Sequence, residues 1–531
     1  MSLTEIEYDK VNAFSNLLID YNLNNSHFSD LISNFPTLDN LNKQISFKSK
    51  NYNNQFRESL VKEIGNQYKG IKLSEIQKQN INKLLEKDTY TITTGHQLNL
   101  LTGPLYFIYK IISTINLSET LKKNYPEFDF VPIYWMASED HDFDEINNFS
   151  FQGSKFKWSS NQTGVVGEFK LDSIDNVLSE FEKFVSDFPY GNEIIKIFRE
   201  CYLNSNDLSN ATRKLVNILF AKYGLIIIDA NNKNLKSLFR DLIKKELNEK
   251  FIFNKSKKSI KRLNELKYNL QANPREINLF YIHDKKRERI IEKGNLFQTS
   301  NGSKKWNLEE IQDDVNLNPE KFSPNVLFRP IFQEFILPNI CYVGGPAEVA
   351  YWLELKSVFE SLNLTFPLIL NRNSALLLEK KQIDKLNKLN VSIEEIFLPK
   401  KQLKENLVRK YSKLKLDFTN LKQQLNNQFS ELKDKAIHTD KSFIGALNAQ
   451  EQKQINGLKM LEKRLLKSEQ RIHQDKINKV LEIRDKLFPG GKPQERISNF
   501  SEFYKIHGPN MIDKIKNNLV PLNQKFSIIE I

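Results

Sequence analysis

Four ionisable residues in a row, Glu139-Asp140-His141-Asp142, follow an apolar stretch that ends near Trp135. Such a group cannot be buried without partners. A substrate ammonium, a metal ion or a proton transfer would each use it, whereas a solvated acidic loop with His141 as a cap is the structural alternative. No second carboxylate–histidine cluster is evident from the spacing, so no metal site is expected. A second set, Gly95-His96-Gln97, stands where a β-branched stretch gives way to an apolar helical one. A glycine turn at a helix start presents backbone N–H groups and the positive end of the helix dipole to a phosphate or carboxylate, although glycine there can also serve the turn alone. Gly344, Gly345 and Glu348 repeat the glycine-turn pattern. Arg372, just past another apolar run, offers a planar fork for a carboxylate or phosphate, or else pairs with an acidic neighbour.

Each of these sets needs an element to position it. Thr89 to Thr93, Phe130 to Trp135, Leu225 to Ile228, Ile340 to Val343 and Phe366 to Leu370 are short and almost continuously apolar or β-branched. Helical stretches separate them, including Ala347 to Phe359. This alternation predicts an α/β, doubly wound, parallel-sheet core. All five strands carry their polar or glycine-rich residues at the carboxyl end, where such sheets bind ligands. Residues 1–400 form this core, with a mostly helical start and two insertions, about 147–207 and 238–322, too long for ordinary crossovers. Between 401 and 487 the strands disappear. Leu403, Leu407, Tyr411, Leu414, Phe418, Leu421, Leu425, Phe429 and Leu432 form one apolar stripe, and a second helix follows a break at Ile437 to Ala449. The pair reads as an antiparallel coiled-coil hairpin. Residues 488–531 then return to the core.

The 531 residues carry a net charge of +13, spread as lysine without an arginine-rich block, so solvated surface is preferred to nucleic-acid binding. The apolar segment Leu98 to Leu117 contains Lys110 and Pro104 and reads as a buried helix rather than a membrane span. With two cysteines, Cys201 and Cys341, neither in a nucleophile motif, and no signal-like start, a reducing, cytoplasmic setting is expected. His27, His283, His438, His473 and His507 have no motif context.

Thr94-Gly95-His96-Gln97 with Leu101-Thr102-Gly103-Pro104, then Trp135-Met136-Ala137-Ser138-Glu139-Asp140-His141-Asp142, resemble the bacillithiol biosynthesis cysteine-adding enzymes, the BshC family. Asn278-Leu279-Phe280-Tyr281, Arg329-Pro330, Gly344-Gly345-Pro346-Ala347-Glu348 with Tyr351-Trp352, and Pro493-Gln494-Glu495-Arg496 extend the likeness over nearly the whole chain. The resemblance implies a Rossmann-like core with insertions, a coiled coil that makes a homodimer, and a ligase that joins L-cysteine to glucosaminyl malate in the last step of bacillithiol synthesis. It also implies that Gly95 and Gln97 hold an anion, that Asp140, His141 and Asp142 orient the ammonium or accept its proton, and that Arg372 faces the malate carboxylates. His96 departs from the family's glutamine, so it is expected to hydrogen-bond rather than act as an obligatory base. Gly344-Gly345-Pro346-Ala347 departs from the more usual Ala-Gly-Pro-Gly. Amide formation needs an activated carboxyl, so ATP or another adenine nucleotide is expected, although no Walker-type loop is present. A coiled-coil scaffold with an inert core, or a metal-dependent hydrolase using Glu139 to Asp142, are the rival readings.

Overall fold

The computed structural model describes residues 4–438 and 441–531. They divide into two units, one built from 1–9, 13–377 and 492–531, the other from 10–12 and 378–491.

The first unit is organised around five strands, β1 (Thr89–His96), β2 (Asp129–Met136), β3 (Ile226–Asp229), β4 (Asn339–Gly344) and β5 (Leu368–Asn371). They lie in the order β5-β4-β1-β2-β3, and every neighbouring pair is parallel. Tyr90 and Ile92 on one face of β1, and Thr91 and Thr93 on the other, are all buried, as a parallel sheet covered on both sides requires. The chain winds from β1 through β2 to β3, then crosses back to place β4 and β5 on the other side of β1. Strand order therefore reverses between β1 and β4, and in open α/β sheets that reversal opens the ligand crevice.

Helix α1 (Tyr106–Asn124) accounts for the membrane-like stretch, because most of its residues are buried against the sheet and Lys110 is paired internally. Among the described residues no helix is long and apolar enough to cross a membrane. The turn between β1 and α1 lies later than the sequence suggests. Gly95 is inside β1, paired with Trp135, and the left-handed residues are Leu101 (φ 49°), Thr102 (φ 71°) and Gly103 (φ 63°). Two side chains fix this turn. The Asn499 amide donates to the carbonyls of Leu101 (2.9 Å) and Gly103 (2.6 Å), and the Leu101 N–H donates to the Tyr202 hydroxyl (2.9 Å).

Helices α2 (Arg329–Ile336) and α3 (Pro346–Leu353) flank β4 in sequence. The helix expected from Ala347 to Phe359 is interrupted, α3 ending at Leu353 and a second helix starting at Lys356. The first insertion contributes a two-stranded hairpin and helices Ile174–Val185 and Gly191–Leu203. The second contributes three α-helices, Arg240–Glu249, Phe251–Glu265 and Leu308–Leu317, and an antiparallel sheet that includes strands Leu279–His283 and Lys286–Lys293. The C-terminal strand Phe526–Glu530 pairs antiparallel with Thr4–Ile6.

The second unit holds α4 (Lys400–Tyr411), α5 (Thr419–Ala436), α6 (Lys441–Ile472) and α7 (Gln474–Leu487). Helices α5 and α6 run antiparallel, for Lys422 pairs with Glu462 and Lys433 with Glu451, both at 2.5 Å. Phe429, Ala436 and Leu447 are buried in the seam. The single stripe expected from Leu403 to Leu432 is broken at 412–418, where the Ser412 hydroxyl accepts from the Leu414 N–H and the Asp417 carboxylate accepts from the Thr419 N–H. Such local bonds compete with the helix ladder. The break before the second long helix is shorter than expected, since α6 is already helical from Lys441.

Candidate active site

A cavity of about 720 Å³ opens at the carboxyl ends of β1, β2 and β4. That volume suits a drug-sized or nucleotide-sized ligand. A larger groove, about 1000 Å³, lies beside Asp30, Phe47 and Thr365, near the amino end of β5 and so away from the strand ends that bind ligands in this architecture.

Gly95 is glycine because of what packs against it. A Cβ there would lie 2.5 Å from Arg329 Nη1 and 3.1 Å from the Tyr342 hydroxyl. Its carbonyl accepts from Lys110 Nζ at 2.6 Å. Gly95 and His96 thus line the cavity from the end of a strand, and the expected turn at a helix N-terminus does not form around them. His96 packs against Tyr106 and Phe107. Burial, and the nearby charges of Lys110, Arg372 and Arg329, push its imidazole well below the usual range, so the ring is neutral. Gln97 donates to Asp140 (2.6 Å) and Glu145 (2.9 Å), so its amide N–H groups are engaged by carboxylates.

The acidic cluster is divided. Glu139 pairs with buried Lys236 and accepts from the Ser323 hydroxyl (2.9 Å). Burial disfavours the Asp140 carboxylate, but bonds from His141 and Gln97, with the charge of Arg287, outweigh it and hold the group below the ordinary carboxylate range. Asp140 is therefore a firm anion and a weak proton acceptor. Glu139 and Asp140 line the cavity, while His141 and Asp142 are exposed and lie outside its lining. The His141 Nδ1 is 3.1 Å from Arg287 Nη1. Among the described residues no group of three His, Cys, Asp or Glu is placed to hold a metal ion.

At the end of β4, the Glu348 carboxylate occupies the N-terminus of α3. It accepts from the Gly345 N–H (2.7 Å) and the Tyr342 hydroxyl (2.5 Å) and pairs with Lys110. Burial opposes its charge, but Lys110 and these bonds hold the carboxyl below its usual range. The second glycine turn thus binds an anion supplied by its own helix. Gly344 is tight for the same reason, a Cβ there meeting Glu348 Cβ at 3.0 Å.

Arg372 does not present its fork to the cavity. Nη2 and Nη1 donate to Glu495 at 2.8 and 3.2 Å, and Nη1 also reaches the Asn373 carbonyl and the Ser374 hydroxyl. Arg372 is 2% exposed and Glu495 0%. Only Arg372 Nε is left without a hydrogen-bond partner among the described residues. Three further buried atoms of cavity-lining residues share that condition, His96 Nε2, Arg329 Nη1 and Glu139 Oε1, the last of them held in the ion pair with Lys236. Arg329 is held by Nη2 donating to the Tyr351 hydroxyl at 2.7 Å, which leaves Nη1 beside Gly95. Buried polar atoms are almost always paired, so two unpaired guanidinium nitrogens around one crevice mark a place for a ligand acceptor, an anion above all.

Residues 1–373 match the family model described as "Bacillithiol biosynthesis BshC, N-terminal Rossmann-like domain", and 375–531 the one described as "Bacillithiol biosynthesis BshC, C-terminal coiled-coil domain". The chain belongs to the BshC family. A relative from Flavobacterium johnsoniae is 46% identical over 526 residues, covering 99% of each chain. One from Cytophaga hutchinsonii is 38% identical over 523 residues, 98% of this chain and 97% of the relative. One from Bacillus cytotoxicus is 26% identical over 498 residues, 90% and 91%. Each bears the name "Putative cysteine ligase BshC". Arg329, Tyr351 and Glu495, which the motif-by-motif reading of the sequence assigned no role, all lie within segments that carried the family likeness. Lys110, Lys236 and Arg287 lie outside those segments, and no spacing announces them.

Proposed function

We propose that the protein is a cysteine ligase of bacillithiol biosynthesis, forming the amide between the carboxyl carbon of L-cysteine and the amine of glucosaminyl malate. In that reaction the C–N bond forms, the amine loses a proton, and one carboxylate oxygen must depart. A nucleotide such as ATP supplies the activation, so that the oxygen leaves on a phosphoryl group rather than as hydroxide. The observation that carries the reading is the two unpaired guanidinium nitrogens, Arg329 Nη1 and Arg372 Nε, beside the neutral imidazole of His96 at the strand-order reversal.

These donors suit the carboxylates of the malate moiety, with Arg329 as principal clamp and Arg372 contributing Nε alone. Asp140 is the counter-charge for an ammonium and orients it, the His141 backbone N–H holding one carboxylate oxygen at 2.8 Å. Lys110 and Glu348 fix the carbonyl of Gly95 and the N–H of Gly345, which frames the crevice. Asp142, outside the cavity, takes no part. A reaction that needs a nucleotide and a free thiol belongs in the cytoplasm, and a homodimer formed through the α5–α6 hairpin belongs to the same reading. The test is incubation with L-cysteine, glucosaminyl malate and ATP, with bacillithiol detected by mass. Absence of product with every nucleoside triphosphate tried overturns the proposal.

A further inference from the structure

Residues 270–277 run as an irregular loop into the antiparallel sheet of the second insertion, and Gln271, Ala272, Arg275 and Ile277 line the cavity. Among the described residues this stretch makes no backbone–backbone hydrogen bond. Side chains hold it instead, at two points. Glu354, the residue after α3, accepts from the N–H groups of Gln271 (2.9 Å) and Ala272 (3.0 Å) with a single carboxylate oxygen. At the other end Glu246, on the helix Arg240–Glu249, accepts from the Asn278 N–H (3.0 Å) and Nδ2 (2.8 Å), and Asn278 Oδ1 in turn accepts from the Arg275 N–H (3.1 Å).

Both carboxyls are 0% exposed, and neither has an ion pair among the described residues. Burial pushes each up to about 7, against the N–H bonds they accept, which favour the charged form. A buried carboxyl without a cation adds little net stability, so its value lies in what it holds in place. From Asn278 the bonds continue to the anion clamp. Asn278 Oδ1 accepts from Asn325 Nδ2 (2.9 Å), and the Asn278 carbonyl accepts from the Asn325 N–H (3.1 Å). Asn325 Oδ1 then accepts from the Leu327 and Phe328 N–H groups, both at 3.0 Å, and its carbonyl accepts from the Arg329 N–H at 2.9 Å. Asn325 therefore caps the turn that leads into α2, whose first residue is Arg329. The guanidinium of Arg329 is steadied from α3 by Tyr351, three residues before Glu354.

We infer that Glu246 and Glu354 are positioning residues of the carboxylate clamp: they fix the 271–278 loop as a wall of the crevice, and Glu246 sets Arg329 through Asn278 and Asn325. The inference rests on the ligase reading for its ligand, so binding and hydrogen exchange are measured apart from turnover. Asn325→Ser keeps an oxygen to cap the turn and loses the amide bond to Asn278. Calorimetry on the full chain should show it weakening glucosaminyl malate about fivefold, the loss expected of one neutral bond. In the Arg329→Met background the same change should cost less than about twofold, because both substitutions act on one clamp. Glu246→Ala should repeat that pattern. Deuterium exchange followed by mass should be at least about tenfold faster across 270–278 in Glu354→Ala, and Glu354→Gln, whose amide oxygen can accept both loop N–H groups, should restore the protection. Equal losses in both Arg329 backgrounds, or exchange across 270–278 unchanged by Glu354→Ala, would overturn the positioning role. Failure of glucosaminyl malate to bind the unsubstituted chain would overturn the ligase reading instead. Exchange across 270–278 in Glu354→Ala and across 325–329 in Glu246→Ala then decides the positioning by itself, faster exchange upholding it and unchanged exchange overturning it.

Discussion

Arg329 keeps its place because Gly95 has no side chain, so the two residues should fail together. Replacing Arg329 with Met removes a buried donor, and a bond to a charged group is worth roughly 1.5–3 kcal/mol, so apparent affinity for glucosaminyl malate should fall about 10- to 100-fold with the KM for L-cysteine much less affected. Gly95→Ala, by forcing the guanidinium aside, should reproduce that pattern, and steady-state kinetics on both variants checks it. Arg372 behaves differently from its sequence expectation. Its fork is spent on Glu495, and breaking a buried pair from one side costs roughly 3–5 kcal/mol. Arg372→Ala and Glu495→Ala should therefore lower the melting temperature by many degrees, whereas Arg329→Met should leave it nearly unchanged. Sequence made the candidates around β1, β2 and β4 legible, since chemistry-bearing residues at the carboxyl ends of apolar runs announce themselves. It could not show that Glu495, more than a hundred residues downstream, uses up the fork of Arg372, nor that Lys236 claims Glu139. Partnership between distant residues leaves no spacing to read.

At the level of elements, Glu348 does the work that the sequence assigned to a ligand. It caps α3 and ties α1 to it through Lys110. Its folded pKa is depressed below the ordinary 4.5, so the stability it contributes is fully present above that value and lost as pH falls through the folded pKa. The melting temperature of Glu348→Gln should lie below that of the unsubstituted chain at pH 7, and the gap should narrow as pH falls below 4.5. A gap that persists undiminished at pH 3 would mean that packing rather than charge carries the effect. The five strands were readable because fully buried parallel strands are apolar throughout, and their ends are marked by polar residues. The turn after β1 was misplaced because Gly95 answers to the packing of Arg329, whereas the true turn uses Leu101 and Thr102 in conformations that no residue preference would suggest and that Asn499 enforces from the far end of the chain. The hairpin stripe was readable as a period and not as a length, because Ser412 and Asp417 end the helix locally while the apolar spacing continues.

For the whole molecule, the second unit carries more apolar surface than its own helices cover. Ile477, Val480, Ile483 and Leu487 of α7 are buried. Leu421, Leu432, Phe443, Met460, Leu461 and Ile472 remain 43–68% exposed, and all belong to α5 or α6. Single exposed leucines are ordinary, but six large side chains on one antiparallel pair exceed what its internal seam explains. A second copy of the chain is the occupant expected for such a face, because a two-fold pairing lets the same surface cover itself. Light scattering of the full chain at micromolar concentration should give twice 62.3 kDa. Met460→Glu with Leu461→Glu, and separately Phe443→Glu, should return the monomer mass with helical content intact, since none of these side chains is buried in the seam. A monomer from the unsubstituted chain, or a dimer indifferent to charge at all three positions, would remove the hairpin as the dimer contact.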